Sequence, residues 1–153
     1  MRHESGRSLI EVIGVLAIAA IMTSLAITMF STIRHRQIRT VAAADLAQVV
    51  KNVRLLMGAR GDYTGLSVDY LVKAGALRNT HAPIGNAWTV TSGTDRQTFV
   101  ITLMGLSEGE CDFFVAAPPT WASLLRVNGA DVVDGETVYC LTSPNNQIAF
   151  VAE

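Results

Sequence analysis

Histidine, cysteine and proline are scarce here: three, two and four residues among 153. The histidines are scattered, and no His, Cys and carboxylate cluster has metal-site spacing, so no metal is expected. No glycine-rich loop follows a candidate strand in a way that would cradle phosphate, and no cofactor is expected either. Serine, histidine and aspartate occur without a nucleophile motif, and the chain is not read as an enzyme. A net charge of −1 lacks the basic excess of a general nucleic-acid binder. The most informative absence is local: from Val12 to Phe30 there is no charged residue.

At about 1.5 Å per residue that run is roughly 28 Å of helix, close to the hydrocarbon thickness of a bilayer. Glu11 stands at its edge. A carboxylate there is costly to bury unless neutralised, so it marks a functional position and asks for a cationic partner. Cleavage after Gly6 would supply one, because the new amino group on Arg7 lies four residues before Glu11. In a staggered bundle of identical helices that amine can equally pair with the Glu11 of a neighbour. Such pairing removes two charges from an apolar core and rewards correct register. A secretory signal peptide has a shorter apolar core followed by a small-residue cleavage site, which this run does not match. A plain single-pass anchor is the other reading.

A polar leader ending in Gly6, Glu11 five residues later and then an unbroken apolar helix resemble the cleavage and assembly signal of type IV pilins. Ser8-Leu9-Ile10-Glu11 is similar to the type IVb branch, which includes the toxin-coregulated and bundle-forming pilins. The resemblance implies a prepilin peptidase that cleaves after Gly6 and methylates the amine of Arg7, and a subunit-docking role for Glu11. The family usually opens the mature chain on Phe, Met or Leu, where this chain has Arg7. Gly105-Leu106-Ser107 before Cys111, and Cys140 followed by a short turn and a last apolar strand, are similar to the disulfide-bounded region of that branch. Gly61-Asp62-Tyr63 and the capped helix after it resemble its helix-to-sheet loop. This chain is shorter than those relatives, mainly between the cysteines.

The fold class implied is α+β: a long amino-terminal helix packed on an antiparallel sheet. The expected divisions are a leader at 1–6, a transmembrane and filament-core helix at 7–30, an amphipathic helical half at 31–57 and a globular region at 58–153. The partners implied are further copies in a polymer, the prepilin peptidase, the pilus assembly machinery and, before assembly, the bacterial inner membrane. The globular part would be periplasmic and later extracellular. Arg34, His35, Arg36 and Arg39 taken alone favour a cytoplasmic carboxyl-terminal side, while Arg2 and Arg7 oppose this; large domains translocate largely regardless of such charges. Contact of the basic cluster with nucleic acid is the alternative to interfacial snorkelling or packing against a neighbouring subunit, which its position beside the apolar run favours. Other readings are a type II secretion pseudopilin, a minor pilin or a membrane-anchored adhesin. Adhesion, aggregation, motility, conjugation and DNA uptake carry no readable motif.

In an exported domain Cys111 and Cys140 read as one disulfide, worth roughly 3 kcal/mol or more on the chain-entropy estimate; two unpaired buried thiols are the alternative. The remaining elements follow from periodicity and punctuation. Ile38, Val41, Ala42, Leu46, Val49, Val50, Val53 and Leu56 or Met57 extend the helix from about Ser8 to Met57, with Gly58 as its cap. Arg60-Gly61-Asp62 spells the integrin-binding tripeptide, but three common loop residues meet often by chance. Ser67 caps a helix through Leu77, and 79–86 is loop, with His81 an exposed loop histidine. Trp88–Thr91 and Thr98–Leu103 form a hairpin. Ser107 and Glu110 form a capping box on a helix that ends before Pro118-Pro119. Strands follow around Leu124–Asn128, Glu136–Leu141 and Gln147–Ala152, and Cys140 falls in the middle one.

Overall fold

The computed structural model describes residues 9–133 and 140–153. They form α1 (Leu9–Met57), α2 (Val68–Lys73), β1 (Ala87–Ser92), β2 (Phe99–Leu106), α3 (Glu108–Ala116), β3 (Leu124–Val127), β4 (Ala130–Asp131) and β5 (Asn146–Ala152). The chain divides into two compact units, one ending at Ile38 and the other running Arg39–Glu153.

In the second unit the apolar repeat of α1 becomes a buried stripe: Ala42, Leu46, Val49, Val50, Val53 and Met57. Steps of three and four place these on one helical face. They join one core with Phe99, Ile101, Leu103, Phe114, Ile148 and Phe150, all fully buried. The sheet order is β1-β2-β5-β3-β4 with every pairing antiparallel. In β1 buried Trp88 and Val90 alternate with exposed neighbours, and in β5 Ile148, Phe150 and Ala152 alternate with less buried ones, the period of a sheet with one face on a core. Phe150 stacks edge-on against Phe114 at 5.4 Å between centroids and lies 5.3 Å from Trp121, at aromatic-pair distances.

An irregularity in β2 reconciles its length with its burial. Leu103 opposes Ile148 and Leu106 opposes Asn146, so β2 carries one extra residue there. Gly105, at φ +72°, lies within this bulge. The extra residue brings Leu106 back to the buried face as β2 gives way to α3. There the Glu110 carboxylate accepts from both the backbone N–H and the hydroxyl of Ser107, at 2.8 Å each.

Several boundaries differ from expectation. After Met57 the backbone tightens into one 3₁₀ turn over Gly58–Arg60, and the left-handed residue that stops it is Gly61, not Gly58. Ser67 caps α2 as expected, accepting from the Tyr70 N–H, but that helix ends at Lys73 rather than continuing to Leu77. The Asn128-Gly129 turn is followed at once by the two-residue β4, which sequence reading did not separate. Of the strand expected at Glu136–Leu141, residues 136–139 lie outside the described part, and Cys140 and Leu141 are not in a strand. The reason is visible at Leu141, whose N–H and C=O are both bonded to the side chain of Asn146 instead of to a ladder partner.

Candidate functional site

In the first unit, α1 buries none of its apolar side chains: Leu9 is 77% and Ile10 80% exposed, and exposure continues through Ile33. This segment is long and apolar enough to cross a membrane. Its hydroxyl side chains are satisfied internally. Thr23 donates to the Ala19 carbonyl at 2.7 Å, Ser24 to Ile21 at 2.8 Å, and Ser31 and Thr32 to Thr28 at 2.9 and 3.0 Å. Thr28 reaches Leu25 at 2.9 Å. Bonds to carbonyls three and four residues back are how hydroxyls are accommodated in helices without outside partners.

Glu11 lies in the first described turn of α1. It is exposed, and no partner for it is found among the described residues. Gly6 and Arg7, the residues expected at the cleavage and methylation point, lie outside those residues. Arg34, His35 and Arg36 are exposed in this same unit. Arg39, in the second unit, is half-buried, with its guanidinium against the first turn of α3, where Gly109 leaves it room.

The cysteines meet. Cys111 and Cys140 form a disulfide with their Cα atoms 5.9 Å apart, joining α3 to the segment that leads into β5. The loop between Cys140 and β5 is organised by a residue that sequence reading placed in a turn. Asn146 is fully buried. Its Oδ1 accepts from the Leu141 N–H at 2.6 Å and the Asn128 amide at 3.1 Å. Its Nδ2 lies 3.2, 2.8 and 3.2 Å from the carbonyls of Leu106, Leu141 and Ser143. One amide therefore fastens β2, the Asn128 turn and the disulfide loop together. The only sequence signal was a second asparagine directly after Pro144-Asn145, too ordinary to single out.

The Arg60-Gly61-Asp62 tripeptide is folded into the end of α1: the Arg60 guanidinium reaches the Tyr70 hydroxyl at 3.5 Å and the Asp62 carboxylate accepts from the Thr64 N–H at 3.2 Å. Among the described residues no group of three His, Cys, Asp or Glu side chains could hold a metal ion. His81 is exposed in its loop. At the tip of the β1–β2 hairpin the Asp95 carboxylate accepts from the Thr98 hydroxyl at 2.7 Å and from the N–H groups of Thr98 and Gln97 at 3.0 and 3.1 Å. These bonds, the Thr98 hydroxyl first, hold its pKa below the ordinary aspartate value.

No protein-family profile matches the chain, and no curated protein matches it. Among solved structures it is similar to the crystal structure of TcpA, a type IV pilin from Vibrio cholerae El Tor biotype. The TM-score is 0.59 at 17% sequence identity, covering 76% of this chain and 99% of that one. The fold is accordingly that of a pilin, a long amino-terminal helix packed on an antiparallel five-stranded sheet.

Proposed function

We propose that the chain is a structural subunit of a type IVb pilus, cleaved after Gly6 and methylated on Arg7 by a prepilin peptidase, then polymerised through the apolar part of α1. The observation that carries this reading is the apolar helix bearing one carboxylate, Glu11, continuous with a helix that packs on a pilin-fold sheet. Residues 1–6 serve as the leader, 7–30 as the membrane anchor and later the filament core, 31–57 as the helical half that supports the head, and 58–153 as the globular surface. Before assembly the protein sits in the inner membrane as a single span with its globular part periplasmic. After assembly it is extracellular.

The physics of assembly follows from exposure. Apolar area removed from water or loosely packed lipid is worth about 25 cal/mol per Å² when water is the reference, and less against lipid. Packing therefore supplies cohesion without choosing a register. Glu11 supplies the choice: an unpaired charge at the centre of a membrane helix costs about 2.5–3.5 kcal/mol on insertion scales, a carboxylate at the edge of the apolar run costs less, and the penalty is relieved where a neighbour's Arg7 amine arrives beside it. The disulfide and the Asn146 amide keep the exported head folded where reducing agents are absent.

Mass spectrometry of the amino terminus tests processing and methylation together, with a mature chain beginning at N-methylated Arg7 expected. Intact fibres made of chains that retain Met1 would overturn the proposal. Replacement Glu11→Ala should leave membrane insertion unchanged and abolish or sharply reduce filaments; normal filaments would remove the docking role.

A further inference from the structure

In the second unit a cleft of about 670 Å³ lies between α1 and the loop that joins α2 to β1. That volume falls within the roughly 300–1,000 Å³ range of small-molecule sites. The α1 wall presents Asp45, Gln48 and Asn52, one helical face at steps of three and four. The loop wall presents Arg78 and Asn79, and Val49 and Trp88, 5% and 8% exposed, form an apolar floor.

The cleft is preformed. Asn52 Nδ2 donates to the Ala76 carbonyl at 2.8 Å, tying the two walls together at one end, and Gln48 Nε2 donates to Asn52 Oδ1 at 2.9 Å. The Trp88 indole donates to the Thr80 carbonyl at 2.8 Å, and Asn79 Oδ1 accepts from the His81 N–H at 3.0 Å, fixing the rest of the loop. Against this ordered background, the side chains of Asp45 and Arg78 make no ion pair or hydrogen bond among the described residues. Two opposite charges thus line one concavity without meeting each other.

We propose that this cleft binds an uncharged hexopyranose unit of a glycan. The chemistry of the walls selects it. The Asp45 carboxylate and the Arg78 guanidinium are planar groups that can each bond two neighbouring hydroxyls at once, which a sugar ring offers around its edge, and the Gln48 Oε1 and Asn79 Nδ2 atoms left over from the internal bonds supply one more acceptor and one more donor. The C–H groups of the ring then meet the small parts of Val49 and Trp88 that reach the cleft. An anionic ligand meets Asp45 and a cationic one meets Arg78, while an apolar one strips water from both and returns no hydrogen bonds. Because the walls are already fixed, little ordering entropy is lost on binding. The inference does not depend on polymerisation, since every lining residue belongs to the second unit.

The test is a titration of the full-length ¹⁵N-labelled chain, in a detergent without a sugar headgroup, with the methyl glycosides of glucose, galactose, mannose and N-acetylglucosamine. The signal is the indole N–H of Trp88, with Trp121, outside the cleft, as internal reference. At least one glycoside should give a saturable Trp88 shift with a Kd of about 1–10 mM, as expected for a single sugar in a shallow site. Asp45→Asn and Arg78→Gln, both surface changes, should each weaken it about tenfold or more. A Trp88 signal unmoved by all four, binding retained in the double variant, or saturable binding of N-acetylneuraminic acid or a peptide in place of the neutral sugars would each overturn the proposal.

Discussion

Replacing Asn146 with alanine removes one side chain and strands five backbone or side-chain groups. The Leu106 carbonyl loses a fully buried hydrogen bond where water does not replace it, which costs about 1–3 kcal/mol. The groups at Leu141, Ser143 and Asn128 are half-buried, so water reaches them and each lost bond counts near the low end, about 0.5 kcal/mol. The total is about 4 kcal/mol. For a unit the size of Arg39–Glu153 that is a fall in Tm of roughly 15 °C. The assay is thermal unfolding of the full chain by circular dichroism under oxidising conditions, so that Cys111–Cys140 stays closed. Asn146→Asp sharpens it. At neutral pH its carboxylate would face the carbonyls of Leu106, Leu141 and Ser143, raising the folded pKa above the unfolded value. That variant should therefore be at least as unstable at pH 7 and should recover relative to wild type as pH falls, because the neutral acid again donates one hydrogen bond. A fall of less than about 3 °C for Asn146→Ala would refute the reasoning, since it equals less than one ordinary hydrogen bond.

Two further outcomes follow from other contacts. Asp95 should titrate below an ordinary aspartate in a ¹³C carboxyl NMR titration, and Thr98→Ala, which removes the largest cause, should move its midpoint up. Since the folded pKa is the lower one, the hairpin stability tied to this group is present above the unfolded value and fades as pH drops through the folded one. Opening the Cys111–Cys140 loop by the double replacement Cys111→Ala and Cys140→Ala should cost about 3–4 kcal/mol, measured by denaturant unfolding, with an m-value that rises because the unfolded chain without its cross-link exposes more surface. Equal stability of the two forms would show that the loop is held by Asn146 alone.

What could be read in advance was whatever repeats or punctuates. The stripe from Ala42 to Met57 is spaced by the helix itself, and Ser107 with Glu110 is a local signal needing no tertiary knowledge. The α2 overrun to Leu77 arose because Ala74, Ala76 and Leu77 continue an apolar pattern, whereas Gly75 at φ +75° turns the chain there and the N–H groups of Ala76 and Leu77 both fold back onto the Leu71 carbonyl. At Leu141, the described end of the strand expected over Glu136–Leu141, the difference has another reason: the Asn146 amide five residues on holds both the N–H and the C=O of Leu141, and nothing in the residue types between them announces that contact. The cleft was invisible for a third reason: Gln48 and Asn52 read as ordinary solvent-facing residues until the loop carrying Arg78 is placed beside them.

The internally bonded hydroxyls of Thr23, Ser24, Thr28, Ser31 and Thr32 make this stretch of α1 indifferent to company. A helix whose hydroxyls borrow nothing from outside can pass from one apolar environment to another with every one of those hydrogen bonds intact, so its surroundings are free to change while its own geometry is not.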